Sequence, residues 1–156
     1  MKPSPLPGLL SLSIGACLSG ACSGPRHDAR LASDVSIEGD AVPASLTGGP
    51  GDAARGRAVF VSRDDGHCVL CHRIEGLDAE FQGDVGPPLT GIGARLTAGQ
   101  IRYRIIDAQR IWPDTVMPAY YRTEGLRQVG HEYEGQPALS AQQIEDLVAF
   151  LEAEKS

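Results

Sequence analysis

The spacing of apolar and polar residues predicts three helices in the second two thirds of the chain. The clearest one comes last: a capping-box pattern starts at Ser140, and apolar residues then recur at helical spacing as far as Leu151. A second capping-box pattern starts at Thr97, and the helix that follows it has to end before Pro113. An earlier helix is expected directly after Asp52, whose side chain can cap it.

Between these helices, no run of alternating apolar residues is long enough to predict a sheet. The chain has 156 residues, of which 19 are Gly and 11 are Pro, and aromatic residues make up only 5%. This composition is typical of short helices joined by long loops, with a core that a large bound cofactor would help to fill. We therefore predict an all-α domain at residues 52–156, with three or more short helices and long loops.

Residues 1–22 have the layout of an export signal, in which an apolar run is followed by small residues. Two cleavage positions fit: a lipoprotein-type box that ends in Cys17, and an ordinary signal-peptidase site that ends in Ala21. We expect a periplasmic protein that contacts the membrane only if Cys17 or Cys22 carries a lipid. Residues 23–51 lack a sustained helical or strand period, which favours a flexible linker or arm.

The charge of the chain argues against nucleic acid as a partner. The formal net charge is -6 at pH 7 and the isoelectric point is near 5.1. Lys and Arg do not form the kind of cluster that binds a phosphate backbone. We expect basic protein surfaces to be the preferred partners instead.

The strongest chemical signal is the string Cys68-Val69-Leu70-Cys71-His72. Two thiols at this spacing can reach the two vinyl groups of one porphyrin, and the adjoining imidazole can then bind the iron. A zinc site would need a further pair of ligands at a standard spacing, which the remaining histidines do not provide. A redox dithiol would need a preceding strand, and a disulfide would close a loop too short to add much stability. We predict one covalent haem c on Cys68 and Cys71, with His72 as an iron ligand.

Met117 is the candidate for the second axial ligand. It is the only methionine apart from the initiator, and Pro118 stiffens the loop in which it lies. A thioether stabilises ferrous iron more than a second histidine does; His131 is the alternative ligand. His72 itself needs an acceptor for its other ring N–H. The carbonyl of Pro87 is the candidate acceptor, although its Gly-Pro-Pro sequence also fits an ordinary turn.

These features, in this order, resemble the class I cytochromes c. The similarity rests on a first helix with Gly56 and Phe60, the attachment string, a Gly-Pro-x-Leu loop that begins at Gly86, the Met-Pro pair at Met117 and a closing helix. It covers about residues 52–156. The resemblance implies one domain in which the first and last helices cross beside a covalent haem.

Two longer runs, from Gly93 to Arg122 and from Leu139 to Leu151, are similar to the SoxX family, the small haem subunits of the sulfur-oxidising SoxAX complex. The resemblance implies a heterodimer with a SoxA-like cytochrome, which joins thiosulfate oxidatively to a cysteine of the carrier protein SoxYZ. This activity is that of an L-cysteine S-thiosulfotransferase. In that family the substrate-binding haem lies on SoxA, so this chain would pass electrons to a downstream acceptor cytochrome.

Two other functions fit the same attachment site. A free-standing or lipid-tethered shuttle cytochrome of the periplasm needs only the haem and its two ligands. A haem enzyme such as a peroxidase needs an open iron position and a distal acid or base, and a Met117 ligand would block that position. We therefore expect an electron-transfer subunit without a catalytic residue of its own.

Overall fold

The computed structural model describes residue 1 and residues 29–156. In this part of the chain the α-helices are α1 at Ala53–Val61, α2 at Ile92–Arg95, α3 at Ala98–Asp107 and α4 at Ala141–Ala153. Single turns of 3-10 helix lie at Cys68–Leu70, Ala108–Arg110 and His131–Tyr133. Extended pairing among the described residues is limited to two isolated bridges, Leu31 with Arg122 and Glu38 with Ala41. The prediction of an all-α fold with short helices and long loops is confirmed.

Side-chain caps fix the starts of the three predicted helices. The Asp52 carboxylate accepts a hydrogen bond of 2.8 Å from the backbone N–H of Arg55. Thr97 and Ser140 each form both halves of a capping box with the glutamine three residues later. These caps satisfy N–H groups that the first turn of a helix leaves without a partner. The three helices therefore begin where the sequence predicts.

Helix α4 is the element on which the other three helices converge. Gly56 lies where α1 crosses α4, and a β-carbon there would come within 1.9 Å of the carbonyl oxygen of Asp146. One turn further along α1, the rings of Phe60 and Phe150 pack with 5.6 Å between their centroids. The missing side chain of Gly56 thus lets two helix backbones approach closely, and the two aromatic rings fill the space beside them.

Helix α2 is an element that the sequence analysis did not predict. It has only four residues, which is too short for a helical period to be recognised. It follows Gly91, whose φ of 66° lies in the left-handed region. A β-carbon on Gly93 would lie 2.1 Å from the carbonyl oxygen of Glu152 in α4. The position of α2 therefore depends on a close backbone contact with α4, and not on a local sequence pattern.

The segment before α1, part of the stretch predicted to be a flexible linker or arm, contacts the domain at two buried residues. Leu31 and Val42 are buried, and the N–H of Val42 donates a 2.9 Å hydrogen bond to the carbonyl of Gly99. This segment has no regular secondary structure, and contacts with distant parts of the chain bury its apolar residues. These residues therefore show no helical or strand period in the sequence. Residues 29–51 therefore form an arm that is held against the domain at Leu31 and Val42, and residues 23–28 lie outside the described residues.

The predicted export signal, apart from Met1, lies outside the described residues, and so do Cys17 and Cys22. The expectations about cleavage, lipid attachment and location therefore stay predictions. In the part of the chain that the structure describes, no helix combines the length and apolar character needed to span a membrane.

Candidate functional site

A largely apolar cavity of about 460 Å³ lies among the helices and the long loops. Each of the four helices contributes apolar side chains to its wall, and examples are Phe60, Ile92, Ile101 and Leu147. The same wall contains all the residues that the sequence singled out for the cofactor: Cys68, Cys71, His72, Pro87 and Met117. The fold therefore brings the two thiols, the imidazole and the thioether to one enclosed space.

A tight turn places both cysteines and the histidine on the same wall. His67 has a φ of 56°, and the chain then enters the 3-10 turn, in which the N–H of Cys71 and the N–H of His72 both donate to the carbonyl of Cys68. The carbonyl of Gly66, just before this turn, accepts a 2.7 Å hydrogen bond from the buried Tyr120 hydroxyl. The turn is thus anchored both within itself and across the cavity.

Cys68 and Cys71 carry free thiols and are both partly buried, and the thiol of Cys68 is a poor nucleophile. Burial raises the pKa of the Cys68 thiol to about 12, because the apolar surroundings disfavour the thiolate. A redox-active dithiol needs the opposite, a thiol whose pKa is lowered towards neutral pH. The environment of Cys68 therefore argues against a dithiol oxidoreductase.

The imidazole of His72 is oriented by the loop opposite to it. Its Nδ1 lies 2.7 Å from the carbonyl oxygen of Pro87, the acceptor expected from the sequence. Since a carbonyl only accepts, Nδ1 carries the proton and Nε2 is left with a free electron pair. Gly86 packs against the ring so closely that a β-carbon would lie 2.4 Å from Cε1 of His72. The loop thus fixes both the tautomer and the position of the ring.

Met117 lies on a loop that follows α3, and its partly buried side chain packs against the core. Its backbone N–H donates to the hydroxyl of Thr115 at 3.3 Å, and the amide of Gln109 contacts its carbonyl oxygen at 3.5 Å. His131, the alternative ligand, is exposed and lies outside the cavity lining. Among the candidates considered, the structure therefore favours Met117 as the second ligand.

The cavity mouth contains residues that sequence reasoning missed. The guanidinium of Arg104 lies 5.2 Å from the ring centroid of Trp112 and 3.2 Å from the Asp40 carboxylate. Val85 and Val116 line the same cavity and are 68% and 80% exposed. We call Val85, Trp112 and Val116 the apolar mouth. Val85 lies on one loop, and Trp112 and Val116 lie on another, so no regular sequence spacing joins all three.

Tyr120, Tyr121 and Arg122 are buried, so they serve packing and not contact with a partner. Tyr120 lines the cavity, whereas the side chain of Arg122 forms an ion pair with Asp107. Their burial therefore indicates a role in packing near the cofactor site.

The residues around the cavity fit a covalently bound haem. Two adjacent free thiols, one imidazole with an available Nε2 and one thioether share an apolar enclosure, as a porphyrin with two axial ligands requires. A tetrahedral zinc site needs four ligands. Among residues 29–156, no group of three or more Cys, His, Asp and Glu side chains is arranged to hold a metal ion.

Comparisons with known proteins agree with this geometry. The model of the family described as cytochrome c matches residues 53–154. A chain in the crystal structure of SoxXA from P. pantotrophus is 41% identical with a TM-score of 0.72, and the match covers 78% of this chain and 95% of that one. The c-type cytochrome SorU from Sinorhizobium meliloti is 23% identical with a TM-score of 0.44, over 66% of this chain and 90% of that one. A search of the curated proteins finds no match.

Proposed function

The chain belongs to the cytochrome c family, and from this we propose that it carries one haem c and is the electron-transfer subunit of a periplasmic SoxAX-type complex. Membership of the family implies a covalently bound haem c. The observation that carries the rest of the proposal is the likeness to a chain of the SoxXA structure, which extends over nearly the full length of that chain.

The described residues have separate tasks in holding the cofactor. Cys68 and Cys71 would form the two thioether bonds, and His72 and Met117 would bind the iron. The haem supplies a one-electron ferric/ferrous couple. Pro87 keeps the His72 ring in one tautomer through the 2.7 Å hydrogen bond. The apolar wall excludes water, and the thioether of Met117 favours the ferrous state, which raises the reduction potential.

Substrate chemistry is assigned to the partner. With His72 and Met117 as its ligands, the iron would have no position left for thiosulfate. Among the described residues the cysteines are Cys68 and Cys71, which would both be bonded to the haem, so neither would be free to react with the substrate. In the proposed complex, a sulfur–sulfur bond forms between thiosulfate and the SoxYZ cysteine, the thiol proton is released, and two electrons leave. This chain would accept these electrons one at a time from the SoxA-like subunit and pass them to a downstream acceptor cytochrome.

The apolar mouth supports contact with a redox partner at this point of the surface. Val116, Val85 and Trp112 are exposed by 80%, 68% and 51% and also line the cofactor cavity. Exposed apolar residues that are grouped in this way mark interaction sites on soluble proteins. A partner that covers them would bring its own cofactor close to the cavity, which electron transfer requires.

The test is co-expression with a SoxA-like cytochrome in cells that mature c-type cytochromes. We expect a heterodimer, and we expect Val116→Asp to weaken it at least about tenfold, because the change buries a charge in the interface. Phe81→Asp is the matched control, since Phe81 is 75% exposed but lies outside the cavity lining. A chain that transfers electrons but does not bind SoxA under these conditions is a free-standing or tethered shuttle.

Mass spectrometry of the purified chain tests the cofactor and the export signal in the same sample. We expect the mass of one haem and a chain that begins near residue 22, or a lipid on Cys17 or Cys22. An unmodified mass from colourless protein made in maturation-competent cells contradicts the proposal.

A further inference from the structure

Asp107 and Arg122 form a buried ion pair at the two ends of the segment that carries Met117. The Arg122 guanidinium donates to both carboxylate oxygens of Asp107, at 2.6 Å from Nη2 to each oxygen and 3.0 Å from Nε to Oδ2. The two side chains are 2% and 0% exposed. Because Asp107 ends α3 and Arg122 follows Met117 by five residues, this ion pair closes the loop between them.

Gln109 extends the same network to the backbone of Met117. Its side-chain oxygen accepts a 3.1 Å hydrogen bond from Nη1 of Arg122. Its side-chain amide makes a longer contact of 3.5 Å with the carbonyl oxygen of Met117. A continuous chain of polar contacts therefore runs from the end of α3, through the ion pair, to the residue next to the cavity.

The backbone between Met117 and Arg122 also follows α3. The N–H of Tyr120 donates to the carbonyl of Ile105 at 3.4 Å, and the N–H of Tyr121 donates to the carbonyl of Ile106 at 3.1 Å. Backbone hydrogen bonds with the arm also hold the end of this segment, from the N–H of Ala32 to the carbonyl of Tyr121 and from the N–H of Thr123 to the carbonyl of Arg30. Loss of the ion pair would therefore loosen the side-chain attachment of this segment while leaving α3 itself intact. Because only a few residues separate Arg122 from Met117, the loosened backbone would include Met117.

A buried ion pair is weak evidence for added stability, because apolar residues of similar size often serve a protein interior as well or better. We propose that Asp107, Gln109 and Arg122, together called the Met117 clamp, are positioning residues that keep the Met117 thioether on the iron. This inference rests on the proposed role of Met117 as an axial ligand. The clamp raises the fraction of molecules in which the ligand loop is closed.

Imidazole binding to the ferric protein measures how often the loop opens. Imidazole competes with Met117 for the iron, so its apparent Kd falls as the open fraction rises. We expect Arg122→Met to lower this Kd by about tenfold or more, and Gln109→Leu, which buries no charge, to lower it by a smaller factor. In the Met117→Ala background, where no thioether competes, the Arg122→Met change should have no further effect.

The same domain offers a matched control in the pair Arg102 and Glu145. This arginine also donates to both oxygens of its carboxylate, at 2.8 Å each, and the side chains are 6% and 2% exposed. It joins α3 to α4, and neither residue lines the cavity that contains Met117. Arg102→Met should destabilise the fold to a similar extent as Arg122→Met but leave imidazole binding within about twofold of the wild type.

The outcomes separate the clamp from the ligand assignment. If Met117→Ala tightens imidazole binding but Arg122→Met and Gln109→Leu do not, the clamp is refuted and Met117 remains a ligand. If Arg102→Met and Arg122→Met tighten imidazole binding equally, the clamp is also refuted, because a general loosening of the fold would then explain the effect. If Met117→Ala has no effect, the ligand assignment fails, and the clamp with it. Should Arg122→Met not fold, Gln109→Leu alone decides between these outcomes.

Discussion

Gly56 in α1 lies directly against the carbonyl group of Asp146 in α4. A β-carbon at Gly56 would be 1.9 Å from that oxygen and 2.4 Å from the carbonyl carbon. These are backbone atoms in the middle of a helix, so they cannot move aside as a flexible side chain can. The contact sets how closely the two central helices approach, and with them the walls of the cavity that Phe60 and Leu147 contribute.

We predict that Gly56→Ala destabilises the protein, although alanine is the better helix former by about 1 kcal/mol. The overpacking, at the upper end of its usual cost of about 1–3 kcal/mol, should outweigh this gain and lower the free energy of unfolding by about 1–2 kcal/mol. Thermal or denaturant unfolding of the haem-loaded protein measures it. Ala54→Leu, at an exposed position of the same helix, is the control and should stay within about 0.5 kcal/mol of wild type. If the Gly56→Ala protein is as stable as the wild type or more stable, α1 and α4 do not approach as closely at Gly56 as the structure indicates.

The carboxylate of Asp146 predicts a pH-dependent contribution to stability. Arg55 donates to it at 2.7 and 2.9 Å, and the N–H of Asp52 and the amide of Gln142 donate to it as well. The Arg55 guanidinium is the main cause that lowers the pKa of Asp146 below its ordinary value of 3.8. The stabilisation is therefore fully present above pH 3.8 and is lost as the pH falls through the lowered pKa of the folded protein.

Asp146→Asn should lower the free energy of unfolding at pH 7 by about 1–3 kcal/mol, because charge-assisted hydrogen bonds weaken. The difference from wild type should shrink towards zero as the pH approaches about 2. Denaturant titrations at a series of pH values measure both. Arg55→Met should reduce the pH dependence of the wild type but have little effect in the Asp146→Asn background. If the stability difference between Asp146→Asn and the wild type is the same at pH 7 and near pH 2, the ionised Asp146 carboxylate does not stabilise the fold as predicted.

The sequence predicts well those features that neighbouring residues determine. The capping residues Asp52, Thr97 and Ser140 act on N–H groups within three residues, so each predicts its helix start correctly. The attachment string is also local, and one tight turn places Cys68 and His72 on the same wall. Local determinants of this kind can be recognised in a single sequence because their partners lie a few positions away.

Features that depend on distant contacts could not be predicted. Leu31 and Val42 contact parts of the chain that lie more than fifty positions away, so their spacing predicts no more than a linker or arm. The stacking of Arg104 on Trp112 brings a helix side chain and a loop side chain together. Such contacts depend on how the helices pack, and one sequence without a structure does not record that packing.

Gly86 lies so close to the ring of His72 that a side chain at this position should displace the ring. A β-carbon at Gly86 would lie 2.4 Å from Cε1 and 2.6 Å from Nδ1 of the ring. We expect Gly86→Ala to push the imidazole away from the Pro87 carbonyl while the haem stays attached through the cysteines. Absorption spectra at pH 7 should show a reduced six-coordinate fraction, and thermal stability should fall by about 1–3 kcal/mol.

Gly49→Ala is the control for this change, because the space around Gly49 is open and its φ is not in the left-handed region. It should leave the spectrum and the stability close to wild type, within about 0.5 kcal/mol. A wild-type spectrum for Gly86→Ala would mean that the loop does not hold the ring of His72 as the structure indicates.

Replacement of Met117 tests the axial ligand directly. Met117→Ala leaves Cys68 and Cys71 unchanged, so the haem should remain covalently attached. Loss of the thioether removes the ligand that favours ferrous iron, and the reduction potential should fall by on the order of 0.1 V, within the roughly 0.8 V range that axial ligands control. A redox titration followed by absorption spectroscopy measures the potential. His131→Ala is the control, since His131 is exposed and outside the cavity lining, and its potential should match wild type. If the potential changed in His131→Ala and not in Met117→Ala, the histidine would be the ligand and the loop of Met117 would have to be assigned another role.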